Sequence, residues 1–169
     1  TYNLKTIVVD IPHYSIAEQT KLAKIIHKEN LDLMHFTNFN HPMNYRGKFI
    51  VTIHDLTLFH FPETAKKTNF IKRLSFRLVM KNAIQKSAKI IAVSEFTKKD
   101  ILKFASINAA KIIVIHEAAD DKIMKIRNPQ SMQSEIRIKY NIKNESVILY
   151  VGQFRPHKNI IGLLGALSK

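Results

Sequence analysis

The chain has 169 residues, 46% hydrophobic and 24% charged, with only four glycines and five prolines; this excludes a disordered polymer and provides for one sizeable core with a fragment of another. It contains no cysteine, which excludes disulfide staples and thiolate metal sites and agrees with a reducing compartment, the cytoplasm by default. A net charge of +14 attracts nucleic acid, anionic lipid or phosphorylated substrates without choosing among them, and a lysine-rich coding bias spread over a solvated surface produces the same figure.

The chain opens on Thr1-Tyr2-Asn3-Leu4-Lys5, with no initiating methionine and no basic segment leading into a long apolar run. No stretch of about 18 apolar residues follows, so neither a signal peptide nor a membrane span is expected, and both ends read as cut. Short β-branched runs at 5–9, 31–36, 49–53, 89–93, 111–115 and 146–151 predict strands. Most are nearly continuous in apolar residues, as parallel strands covered on both faces require. Between them, Ile16 to Lys28 predicts a helix with Ala17, Leu22, Ala23, Ile25 and Ile26 on or near one face, and Asn69 to Lys86 another with Ile71, Leu74, Leu78 and Val79. Glu95 to Phe104 is a third, with Ser94 placed to cap it. Strands alternating with helices argue for a Rossmann-like α/β fold with a doubly wound parallel sheet. Residues 118–145 break the rhythm with Asp120-Asp121, Asn128-Pro129-Gln130-Ser131 and a short helical pattern through Ile136, Ile138 and Tyr140. They read as a connector, so that 1–143 forms one domain, lacking its first strand, and 144–169 opens a second.

Ligands of open α/β sheets lie beyond the carboxyl ends of the strands. Four such segments stand out: His54-Asp55-Leu56, Ser94-Glu95, His116-Glu117, and Gly152-Gln153-Phe154-Arg155-Pro156-His157-Lys158-Asn159. In the last, Pro156 suits an early helical position, and Arg155, His157 and Lys158 add cationic donors to the free amides of a helix start, which together suit a diphosphate. The glycine spacing of a Walker loop or a dinucleotide fingerprint is absent. The plainer account of these basic residues is a solvated turn, and of His54 and Asp55 a capped strand end.

The segment Tyr150-Val151-Gly152-Gln153-Phe154-Arg155-Pro156-His157-Lys158-Asn159-Ile160 resembles the start of the second domain of retaining GT-B glycosyltransferases of the family 4, or group 1, type. Val51-Thr52-Ile53-His54-Asp55-Leu56 and Ile90-Ile91-Ala92-Val93-Ser94-Glu95-Phe96 match two further landmarks of that family in the right order. The resemblance implies a two-domain enzyme that transfers a sugar from a nucleotide-diphosphate donor, with retention and without an obligatory metal or other cofactor. It implies that Gly152, Gln153, Arg155 and Lys158 hold the donor phosphates, that Lys158 stabilises the leaving diphosphate and His54 contacts the transferred sugar or its phosphate, and that Asp55, Ser94 and Glu95 line the acceptor side. Two positions depart from the pattern: Gln153 stands where many relatives carry arginine, and His157 where they carry the first residue of a basic pair. The family's glycine-rich loop after the first strand and its late pair of glutamates are missing, so these 169 residues alone are not expected to turn over.

Lys66, Lys67, Lys72, Arg73, Arg77, Lys81 and Lys86 form a basic ridge over 66–86 that suits peripheral contact with an anionic membrane, where each basic side chain contributes about 1 kcal/mol. The expected partners are therefore a nucleotide sugar, a glycan or lipid-linked acceptor and the inner face of a membrane. A nucleic-acid-binding module has only the charge in its favour and no recognised motif. The same scaffold also serves nucleotide-sugar epimerisation and glycan phosphorolysis, since fold does not fix chemistry.

Overall fold

The computed structural model describes residues 4–61, 70–121 and 129–168, and divides into two compact units, Thr1–His116 and Glu117–Lys169. The first is built on four parallel strands, β1 (Met34–Phe36), β2 (Phe49–Ile53), β3 (Lys89–Ala92) and β4 (Ile112–Val114), in the order β1-β2-β3-β4. Among the described strands the order progresses without a reversal, and the parallel sheet with its helices is the Rossmann-like α/β architecture expected; burial alternates along β2 and β3, so one face is packed and the other half-buried. Val51, Ile53, Ile90 and Ala92 are wholly buried, so the β-branched runs that suggested strands do so because they fill the sheet's interior. The register sets Phe36 opposite Val51, Ile53 opposite Ala92 and Ala92 opposite Val114, which brings the carboxyl ends to one edge.

A π-helical turn, Glu18–Leu22, runs directly into α1 (Ala23–Lys28), whose Ala23 and Ile26 are buried. After β2 come the single turn α2 (Thr57–His60) and the long α3 (Phe70–Lys86), and after β3 comes α4 (Glu95–Phe104). Only the C-terminal half of α3 enters the core, through Val79, Met80, Ala83 and Ile84. Ile71, Leu74 and Leu78, expected on its buried face, are exposed, and at about 100° per residue they lie roughly opposite the side that packs. Of the basic ridge, Lys66 and Lys67 lie outside the described residues; Lys72, Arg73, Arg77, Lys81 and Lys86 are exposed on α3.

Lys5–Val9, expected as a strand, is not one. Ile7 and Val8 are exposed, and Lys5 pairs instead with Glu29 at the end of α1. A β-branched run becomes a strand only where a ladder accepts its backbone groups. The same reason covers Ser146–Val151 in the second unit, which has no ladder partner among the described residues and leaves Val147, Ile148, Leu149 and Val151 exposed. That unit contributes α5 (Pro129–Lys139), a one-turn 3₁₀ helix at Pro156–Lys158 and α6 (Ile160–Leu167).

Candidate functional site

Each residue expected at a strand end in the first unit sits on the common carboxyl edge. His54 follows β2 directly, and its Nε2–H donates to the carbonyl of Thr37, just past β1, at 2.9 Å. Asp55 Oδ1 accepts the Thr57 amide at 2.8 Å, which turns the chain into α2. Ser94 caps α4 as expected, its hydroxyl accepting the Thr97 amide at 3.0 Å, while Glu95 is exposed in the first turn, where its charge favours the helix dipole. Thr97 then donates its hydroxyl back to the carbonyl of His54 at 3.1 Å, joining the start of α4 to the end of β2. His116 donates through Nδ1 to Val93 at 3.1 Å, beside β3. The edge is thus laced laterally by side chains of residues just past the strand ends, His54 and His116, and by Thr97 of α4.

Beyond it lies a cavity of about 450 Å³ lined by Asp55, Leu56, Thr57, His60, Phe61, Phe96, Thr97 and Asp100. His60 Nε2–H donates to Asp100 Oδ2 at 2.5 Å, and Asp100 is only 7% exposed. The neighbouring cavity of about 520 Å³ shares His60 and is mainly apolar, with Phe59, Phe70, Leu74 and Phe104 in its wall and Arg73 and Arg77 among the lining groups; the Arg77 guanidinium lies 5.8 Å from the Phe104 ring centre.

In the second unit Gly152, Gln153, Arg155 and Lys158 share one turn. Gly152 has φ of +155°, and a Cβ there would meet Tyr150 Oη at 2.8 Å, so the position is closed to larger residues without movement of that ring. Arg155 donates to Gln153 Oε1 at 3.0 Å, and Pro156 opens the 3₁₀ turn that carries His157 and Lys158. Asn159, left-handed at φ 50°, caps α6 by accepting the Gly162 amide at 3.2 Å. A cavity of about 450 Å³ lies against Phe154, Arg155, Pro156, Asn159, Ile160 and Ile161; Lys158 is on the same turn without lining it.

The family model for Glycosyltransferase Family 4 matches residues 6–122, more than half of the chain. The chain belongs to Glycosyltransferase Family 4. Among the curated relatives of this family-4 chain is the O-antigen chain mannosyltransferase RfbU of Salmonella typhimurium, 26% identical over 110 residues that cover 65% of the chain and 26% of the relative. The O-antigen chain mannosyltransferase B of Escherichia coli is 28% identical over 135 residues, 79% of the chain and 34% of that protein. The chain therefore spans about a quarter to a third of the length of the relatives it matches. Among solved structures, Anabaena HepE in complex with UDP-glucose superposes with a TM-score of 0.65 at 18% identity, over 88% of this chain and 39% of that one. With the parallel sheet, this gives the family-4 chain a GT-B type, Rossmann-like fold.

No motif in the family-4 chain marks His60, Thr97 or Asp100. Thr97, Asp100 and Ile101 are all buried on one side of α4, at spacings of three and four residues. Two polar residues on a helix's buried stripe are a readable sign of a polar site; His60, six residues past the strand-end histidine, carries no such sign. No motif marks Glu18 either. Buried in the π-helical turn, it accepts the Tyr14 amide and the Asn40 side-chain amide, each at 2.6 Å, and its charge together with burial raises the Tyr14 phenol's pKa, burial being the larger cause.

Proposed function

We propose that the full-length protein carrying this sequence transfers a sugar from a nucleotide-diphosphate donor to a glycan or lipid-linked acceptor of the cell envelope, with retention and without a metal. Residues 1–143 form its acceptor-side domain and 144–169 open its donor-side domain. The observation that carries the reading is the gathering of His54, Asp55 and Ser94 on one carboxyl edge of a parallel sheet in a family-4 chain. A nucleotide-sugar donor is supported by the UDP-glucose named with HepE, and an envelope acceptor by the O-antigen enzymes among the relatives. In this reading Gly152, Gln153, Arg155 and Lys158 cradle the diphosphate. Lys158 stabilises the charge that develops on the leaving group, a contribution whose loss typically costs ~10²–10³ in rate. His54 contacts the transferred sugar, and Asp55, Ser94 and Glu95 face the acceptor. The 169 residues alone do not turn over.

Thermal shift of the full-length protein with nucleotide-diphosphate sugars tests the cradle: stabilisation that disappears in Lys158→Ala supports it, and no stabilisation by any donor removes it. Product analysis, beginning with a mannose donor, separates transfer, which yields a new glycoside, from epimerisation, which yields an isomeric donor, and from phosphorolysis, which yields a sugar phosphate.

The enzyme works at the inner face of a membrane and touches it through α3. Support comes from the exposed stripe of Ile71, Leu74 and Leu78 beside the exposed cations Arg73, Arg77 and Lys81. Among the described residues no helix is long and apolar enough to cross a membrane. Flotation with neutral and anionic liposomes decides the point, equal recovery from both counting against it.

A further inference from the structure

Between α2, the N-terminal half of α3 and the end of α4 lies the apolar cavity of about 520 Å³, a volume within the ~300–1,000 Å³ of small-molecule sites. None of the residues assigned above to donor or acceptor lines it. Its wall is formed by Leu58, Phe59, Phe70, Leu74 and Phe104, with the rings of Phe59 and Phe104 4.8 Å apart. Phe70 is 77% exposed and Leu74 47%, so part of that wall stands open to water, which is the mark of a binding surface. Arg73 and Arg77 join the lining, one helical turn apart on the side of α3 that also carries Phe70 and Leu74. Among the described residues neither arginine makes an ion pair and no carboxylate lines the cavity, so both guanidinium groups can take an anion. A wholly apolar ligand would leave this charge unused, and a free phosphate would leave the aromatic wall wet. One amphiphile with an anionic head and a hydrocarbon tail satisfies both. Leu74 belongs to the cavity wall and also to the exposed stripe with Ile71 and Leu78, so a chain can pass from one to the other without crossing water.

Resting on the reading of α3 as a membrane contact, we infer that this cavity draws in one chain of an anionic phospholipid of the bilayer, whose phosphate is held by Arg73 and Arg77. The contact is then a lipid-specific dock and not a diffuse attraction of cations to a charged surface. It also orients the domain: the cavity shares His60 with the polar one beyond the sheet's carboxyl edge, so a lipid seated here holds that edge close to the leaflet.

The test uses the full-length protein and dihexanoyl phosphatidylglycerol below its critical micelle concentration, where no membrane surface exists, with binding read by calorimetry. A single saturable site is expected, with dihexanoyl phosphatidylcholine bound about ten-fold more weakly and glycerol phosphate, the head without the tails, not bound. Arg77→Gln and Leu58→Ser, both at exposed positions, are each expected to weaken binding about ten-fold. Lys81→Gln removes the same charge one turn further along α3, outside the cavity, and leaves binding unchanged. No loss in Arg77→Gln and Leu58→Ser, equal loss in Lys81→Gln, or no monomer binding while flotation still depends on anionic lipid overturns the dock and spares the surface contact. Preference for geranyl diphosphate, a soluble polyprenyl diphosphate, overturns the bilayer lipid as occupant. Equal flotation with neutral and anionic vesicles instead overturns the membrane reading and the dock with it.

Discussion

Lowering the pH from 7.5 to 5 should weaken this fold through one histidine. His41 is 1% exposed, between the rings of Phe36 at 5.5 Å and Phe49 at 5.2 Å. Its Nδ1 faces the carbonyl of Phe39 and its Nε2 faces Asn82 of α3, both at 3.0 Å. Burial holds its pKa below the usual 6.5; the bonds to Phe39 and Asn82 pull it up by less, and the Lys86 charge adds to the lowering. The unfolded chain therefore binds more protons than the folded one between the depressed value and about 6.5, so stability is full above that range and falls as the pH drops through it. Each unit of depression is worth about 1.4 kcal/mol, a noticeable share of the 5–15 kcal/mol that holds a typical domain. Asn82 moderates the loss, since its amide can offer N–H to the neutral ring or oxygen to the charged one. Urea unfolding of wild type and His41→Gln across this range provides the assay. The variant is less stable at pH 7.5, by about 1–3 kcal/mol for the disturbed buried pairs, but its stability changes less with pH. Parallel curves for the two proteins would refute the reasoning, because the slope would then belong to other groups.

Ser94→Ala should cost about 1 kcal/mol, read as a lower urea midpoint at unchanged slope, with Ser94→Asp restoring most of it because aspartate also accepts the Thr97 amide. Lys111 donates to the carbonyls of Ile84 at 2.7 Å and Gln85 at 2.8 Å, closing the end of α3, although burial lowers its pKa and so offsets part of the gain. Lys111→Met should therefore cost only about 1 kcal/mol in the same assay, most of it from the Ile84 carbonyl, which water reaches less easily than that of exposed Gln85.

What was legible in the sequence is what local signals decide. The run Phe49–Ile53 and the capped, ten-residue pattern of Glu95–Phe104 carry their own instructions, and both form where expected. Lys5–Val9 and Ser146–Val151 have equally good strand composition and have no ladder partner among the described residues, because strand pairing depends on a partner far along the chain. In α3 the helical period was readable but its core face was not: a spacing pattern does not say which side of the helix packs, and here Val79, Met80, Ala83 and Ile84 pack while Ile71, Leu74 and Leu78 lie roughly opposite. The rule that ligands lie past strand ends found His54, Asp55 and Ser94 on one edge. It could not find His60, whose place depends on how α2 turns back toward Asp100.

The lateral lacing of that edge bears on how activity data should be read. His54 both reaches across to the Thr37 carbonyl and, through its own carbonyl, anchors Thr97, so the imidazole has a structural task beside the proposed contact with the sugar. Loss of turnover in His54→Ala would leave those two roles confounded, since the bond to Thr37 is worth up to about 1 kcal/mol at this exposed position. His54→Gln separates them. Its amide N–H can occupy the place of Nε2 and keep the bond to Thr37, while the ring is gone. If the ring serves the transferred sugar, both variants of the full-length enzyme lose turnover and only the alanine variant loses thermal stability. If the ring only laces the edge, His54→Gln keeps both, and the catalytic assignment of His54 falls while the fold argument stands.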